Sequence, residues 1–156
     1  MARLSALFGW LGLAFLAGFA TSLGLVTYFS STLLTGIVYP NWYYPVQYLT
    51  YIWFSFYVIK AIAGWLLWQQ FGFNEAKVAL YMLIVHLTLS AASTYLLFFI
   101  EPPINQCIQA TIASLTLLLT VILFWDKSKK TALLLVPNLL WLFYVNSFYL
   151  VTVLKN

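Results

Sequence analysis

Residues 39–68, YPNWYYPVQYLTYIWFSFYVIKAIAGWLLW, decide how this chain folds. A turn marked by Pro40, Trp42 and Pro45 runs straight into an apolar helix crowded with rings and carrying one lysine, Lys60, near its middle. Tyrosine and tryptophan suit the boundary between bilayer and water because each ring has an apolar body and a polar edge. A lysine at mid-helix is costly in hydrocarbon and needs a partner. The segment reads as an entry into a membrane followed by the wall of a pocket.

The rest of the chain agrees with that reading. Of its 156 residues 64% are hydrophobic and 6% charged, with a mean hydropathy of +0.96, too much apolar surface for one water-soluble core. About 20 helical residues cross roughly 30 Å of hydrocarbon. Five stretches qualify, near residues 5–29, 46–69, 76–99, 105–125 and 131–154. Membrane barrels would show short alternating segments instead. The expectation is an all-α membrane protein, a single domain over residues 1–156 built as a bundle of five transmembrane helices. The first stretch follows Arg3 and contains Gly18-Phe19-Ala20, a small-x-small pattern like a cleavage site. Its apolar run of about 25 residues is nonetheless long for a signal core and adequate for a span.

Charge sets the expected orientation. With five spans, the N-terminus and the second and fourth loops share one side, bearing Arg3, Lys77, Lys127, Lys129 and Lys130, while the other side bears Lys155. By the positive-inside rule the N-terminus lies inside. The formal net charge of +4 is then mostly topological, and the Lys127-Ser128-Lys129-Lys130 cluster reads as an anchor near anionic headgroups. No nucleic-acid motif accompanies it. Cys107 is the only cysteine, so no intrachain disulfide can form.

Breakers separate the spans: Pro40 and Pro45, then Gly72 and Asn74, then Pro102 and Pro103, then the charged DKSKK run. Pro137 falls in the early turns of the fifth span, where a kink is expected. The first loop, residues 30–45, is uncharged and rich in Tyr and Trp, and is expected to fold over the helix ends as a lid.

Helical spacing places Trp53, Tyr57, Lys60, Gly64 and Trp68 on one face of the second span. Such a stripe commonly means packing, but Lys60 alters it, since Glu75, Glu101 and Asp126 all lie at helix ends. Three outcomes are open: Lys60 snorkels along its stem, stays uncharged, or meets the anion of a ligand. His86, Ser90, Ser93 and Leu97 repeat the spacing on the third span. Singly, the histidine and serines read as hydrogen-bonded to neighbouring helices or to their own i−4 carbonyls. Together with Lys60 and the rings they outline a mixed pocket. Asn138, Trp141, Val145 and Tyr149 share a face of the fifth span and supply a third wall.

Enzyme signatures are sparse. One histidine and one cysteine exclude a His-rich di-iron box or a Cys-His metal site, and no paired carboxylates lie within the spans for acid-base work. His86 and Ser90 are geometrically able to pair, yet no third residue orients the base. No catalytic residue, metal site or obligatory cofactor is assigned.

The 39–68 segment resembles the translocator protein family, also called tryptophan-rich sensory proteins or peripheral-type benzodiazepine receptors. The family pattern Lys-Pro-x-Trp-x-Pro-Pro, then Trp, Leu-Tyr and Trp, is met without gaps by Pro40, Trp42, Pro45, Trp53, Tyr57 and Trp68, with Tyr39 and Tyr44 at the first Lys and first paired Pro. Residues 133–141, LLLVPNLLW, are similar to the family's Leu-Leu-x-Pro-Tyr-Leu-x-Trp, with Asn138 replacing Tyr. On the third span the family's Gln-Leu-x-Leu-Asn-x-x-Trp becomes His86-Leu87-Thr88-Leu89-Ser90-Ala91-Ala92-Ser93, which keeps the leucines and replaces the Gln, Asn and Trp. Val145 stands where the family usually has a small Ala. The pattern is that of a divergent member.

The resemblance implies a five-helix bundle, often a homodimer, with a pocket under the first loop that takes tetrapyrroles such as protoporphyrin or haem and, in some members, sterols. A macrocycle would stack on Trp53 and Trp141, and its propionates would suit Lys60 and His86. Trp42, Tyr57, Ser90, Ser93, Asn138 and Val145 complete the expected ligand contacts. The leading expectation is a protein that senses, carries or sequesters a tetrapyrrole in the bilayer. The alternatives are a sterol- or lipid-binding scaffold and a porphyrin-degrading photochemical enzyme using Trp as electron donor.

Overall fold

The computed structural model describes residues 2–29, 36–42, 46–96 and 103–156. Parts of the expected first loop, including Tyr44 and Pro45, lie outside the described residues, as do Glu101, Pro102 and the end of the expected third span. Among the described residues the chain is all-helical, with α1 (Ala2–Phe29), α2 (Val46–Leu96), α3 (Ile104–Lys127), α4 (Lys129–Leu133) and α5 (Val136–Lys155).

Among the described residues four helical stretches, not five, are long and apolar enough to cross a membrane. The difference lies in α2, where the expected second loop does not form. Helix runs through residues 70–75, and the regular backbone is interrupted at Gly72 alone, with φ 71° and ψ 172°. A straight α2 of 51 residues would be about 75 Å long, and Lys60 and His86 would stand about 39 Å apart along it. Their side-chain nitrogens are 3.2 Å apart. The chain therefore doubles back at Gly72, and residues 46–71 and 73–96 are two antiparallel arms. One residue performs the reversal because glycine reaches a backbone region closed to side chains with a Cβ.

Small residues let the arms and α1 approach closely, as packing within a bilayer requires. A Cβ at Gly64 would lie 2.8 Å from Leu83 Cδ2 on the second arm and 3.0 Å from Trp10 Cε3 on α1. At Gly18 it would meet the Tyr57 ring at 3.0 Å. Ala61, Ala63, Ala76 and Ala79 are buried in the same core, along with Leu67, Leu80, Leu83 and Leu87. Outward-facing positions stay apolar, among them Phe8, Tyr51, Leu115, Leu140 and Leu154, the surface expected of a protein solvated by lipid.

The expected fifth span is broken near its start. Ser128 is extended, at φ −150° and ψ 102°, and separates α3 from the five residues of α4. Leu134 and Leu135 then form a turn before α5 begins. Pro137 consequently sits in the first turn of α5, where a missing N–H costs nothing and the fixed φ suits helix entry. The last helical stretch bends at Leu134 and Leu135, immediately before Pro137, where the sequence suggests a kink.

Gly72→Ala is expected to destabilise the protein by about 1–3 kcal/mol through backbone strain. An added Cβ there meets no atom within 4 Å, so steric overlap contributes nothing. Gly9 is also uncrowded but helical, and Gly9→Ala should change stability in the opposite sense by roughly 0.5–1 kcal/mol. Thermal unfolding in detergent, compared across the two variants, checks both signs.

Candidate functional site

A thread of polar side chains crosses the bundle from α1 to α3. On α1, the Thr21 hydroxyl donates to the Ala17 carbonyl at 2.9 Å, which commits its one proton. The contact at 2.8 Å between Thr21 Oγ1 and the Tyr57 hydroxyl therefore has Tyr57 as donor. The Tyr57 ring in turn lies beneath Lys60, with Nζ 4.2 Å from its centroid, a cation–π distance. Lys60 Nζ meets His86 Nε2 at 3.2 Å.

The far side of His86 fixes its tautomer. Its Nδ1 lies 2.9 Å from Thr116 Oγ1 on α3, and that hydroxyl already donates to the Ile112 carbonyl at 2.8 Å. Thr116 must accept from Nδ1–H, which leaves Nε2 bare to accept from Lys60. Lys60 is 1% exposed and His86 0% exposed. Of the described acidic residues, Glu75 and Asp126 are both exposed at helix ends, so no described carboxylate balances Lys60. Both residues thus turn inward as their spacing suggests, and they are sealed against each other.

The fifth helix supplies a second cluster. Thr111 on α3 reaches Asn146 Oδ1 on α5 at 3.1 Å, which sets the antiparallel register of the two helices. Counting from that pair puts Trp141 level with Thr116, and so with the Lys60–His86 contact. Asn138 lies one turn further toward α4, about 4.5 Å along the axis. Trp141 is half-buried, with its ring centroid 6.4 Å from Phe56 on the first arm of α2 and 5.4 Å from Tyr144. Asn138 is 0% exposed, and neither its Oδ1 nor its Nδ2 has a hydrogen-bond partner among the described residues.

Residues 36–42 of the connector run along the C-terminal half of α5. Val38 N–H donates to Asn156 Oδ1 at 2.9 Å, and Asn156 Nδ2 donates back to the Val38 carbonyl at 3.1 Å. Tyr39 stacks on Phe148, with centroids 6.0 Å apart, and the Tyr144 hydroxyl donates to the Trp42 carbonyl at 2.9 Å. The described part of the expected lid is a strap tied to one helix.

The expected ligand residues thus divide. Tyr57, Lys60 and His86 come together directly; Trp141, Asn138 and the buried Val145 share one face of α5. Trp53 is half-buried against the core. Ser93 is buried and bonds backward to the Ser90 carbonyl at 3.3 Å, satisfying itself within its own helix. Trp42 is not gathered in: the residue is 51% exposed, and among the described residues its carbonyl accepts from Tyr144. Thr21, Thr116 and Phe56 were not foreseen. Any threonine in an apolar span can bond its own i−4 carbonyl, so nothing local marks Thr21, Thr111 and Thr116 as the ones that also hold a distant side chain. A further feature borders this centre at Tyr57: an apolar groove of about 480 Å³ between α1 and the first arm of α2, lined by Phe8, Gly12, Phe15, Phe54 and Tyr57 among others.

Residues 8–153 match the sequence model of the TspO/MBR family. A search of curated proteins finds no match.

Removing one partner of the buried pair strands the other. Lys60→Met and His86→Leu should each cost about 1–3 kcal/mol, and the double variant less than the sum of the two. Unfolding of the four proteins in detergent measures the coupling; strict additivity would show that the two groups do not interact.

Proposed function

The chain belongs to the TspO/MBR family, and from that premise we propose that it is a membrane sensor, carrier or sequestering protein that binds a tetrapyrrole between α5 and the first arm of α2. The observation that carries this reading is Lys60: a lysine sealed in the bundle, without a described carboxylate partner, level with the Trp141 ring. A propionate entering from the α5 side takes Lys60 from His86 and replaces an imidazole nitrogen with a carboxylate as its hydrogen-bond acceptor, an ion-paired contact. The macrocycle then lies against Trp141 and the neighbouring rings, where stacking adds to the burial of its apolar surface. Phe56 and Trp141 hold this edge of the bundle through rings, side chains that can rotate to admit a flat molecule.

Sterol or lipid binding is the second reading. It is supported by the groove between α1 and α2, whose walls are apolar throughout and whose floor is open at Gly12, where an added Cβ would meet nothing within 4 Å. Five crossings are proposed, with each arm of α2 spanning the bilayer. Exposed Lys77, Lys127, Lys129 and Lys130 lie at the ends of helices that α2's reversal brings to one side of the bundle. They support placing that side, and the N-terminus with it, inside.

Titration of the purified protein with protoporphyrin IX, followed by tryptophan quenching and the porphyrin's absorption, should show saturable binding. Trp141→Phe and Lys60→Met should each weaken it by about tenfold, which is 1.4 kcal/mol. Unchanged affinity in both variants would remove the assignment.

A further inference from the structure

We propose that Asn138 sets the specificity of this site by pairing with a lactam, or another cis-amide edge, on the bound molecule, so that a lactam-bearing tetrapyrrole is favoured over one without it. The inference rests on the site between α2 and α5 proposed above. Its starting point is an amide that is wholly buried and whose donor and acceptor both lack a partner among the described residues. Each such group left unpaired costs free energy that leucine of similar size would not, so an asparagine at this position is explained by something that pairs with it.

The chemistry of the partner follows from the side chain. An asparagine amide presents an acceptor, Oδ1, and a donor, Nδ2–H, side by side in one plane. Its complement is a group that presents N–H and C=O side by side, as a lactam does, giving two parallel hydrogen bonds. An ionised carboxylate is a poor fit because it only accepts; it satisfies Nδ2 while setting a negative oxygen against Oδ1. The rim of an intact porphyrin carries no N–H, its pyrrole nitrogens all pointing to the centre. An open-chain tetrapyrrole ends in lactam rings, each with N–H and C=O side by side, on a conjugated body whose faces are largely apolar. Asn138 and Trp141 lie one turn apart on the same face of α5, so a ring laid against Trp141 brings its edge toward the amide. Propionates remain for Lys60, a turn away.

The test uses the full chain in detergent with biliverdin and protoporphyrin IX, which share two propionates and differ in the terminal lactams. Wild type is expected to bind biliverdin about tenfold more tightly. Asn138→Leu should abolish that preference, bringing the biliverdin affinity to that for protoporphyrin IX in the same variant, and Asn138→Ala serves if the leucine variant fails to fold. A preference that is the same in wild type and variant, as it would be if the amide merely held an internal water, overturns the inference and leaves the site standing. Binding of neither tetrapyrrole overturns the reading on which it rests.

Discussion

Hydrocarbon offers no hydrogen-bond partner, and that single constraint organises the interior of this bundle. Lys60 sits near the middle of a long apolar arm and cannot be satisfied by solvent. The chain brings His86 to it from 26 residues away, and Thr116 then holds the imidazole from a third helix. Each donor in this series has its acceptor already determined by the next bond along, so the direction of the thread is set by valence. Breaking any link leaves a polar atom facing lipid-like surroundings.

The helix packing serves the same end. Only a reversal at Gly72 places the two arms of α2 in the register that joins Lys60 to His86. Gly64 lets the arms and Trp10 converge without a clash, and Gly18 leaves room for the Tyr57 ring on which Lys60 rests. The hydroxyl of that ring is tied to Thr21, so α1 is joined to the same network. On the other side, α5 rests on α3 through the Thr111–Asn146 contact and meets the first arm through Phe56 and Trp141. The bundle is thus closely packed on the flank of α1 and joined through rings where α5 meets the first arm of α2.

Much of this was legible in the sequence, and what was not has physical reasons. Long apolar runs with breakers between them announce membrane helices, and the 3.6-residue spacing put Tyr57, Lys60 and His86 on inward faces, where they are found. Composition cannot say that one glycine suffices for a reversal, so a loop was expected where α2 continues through Asn74 with no interruption except Gly72. Pro137 signals a disruption without saying how it is built; the bend falls in the turn at Leu134 and Leu135, which leaves the proline in the first turn of α5. Trp42 shows the limit of motif reading, because its position in a family pattern does not tell whether the ring or the backbone is used. Pairing between distant residues such as Thr116 and His86 has no local signature at all.

The chain contains a single histidine, which allows the central contact to be observed without assignment ambiguity. Nitrogen-15 NMR of protein labelled at histidine reports which ring nitrogen carries the proton. The account predicts a protonated Nδ1 and a bare Nε2 at neutral pH, with the Nε2 resonance shifting in Lys60→Met and the Nδ1 resonance shifting in Thr116→Val. A proton on Nε2 with Nδ1 bare, indifferent to both substitutions, would contradict it.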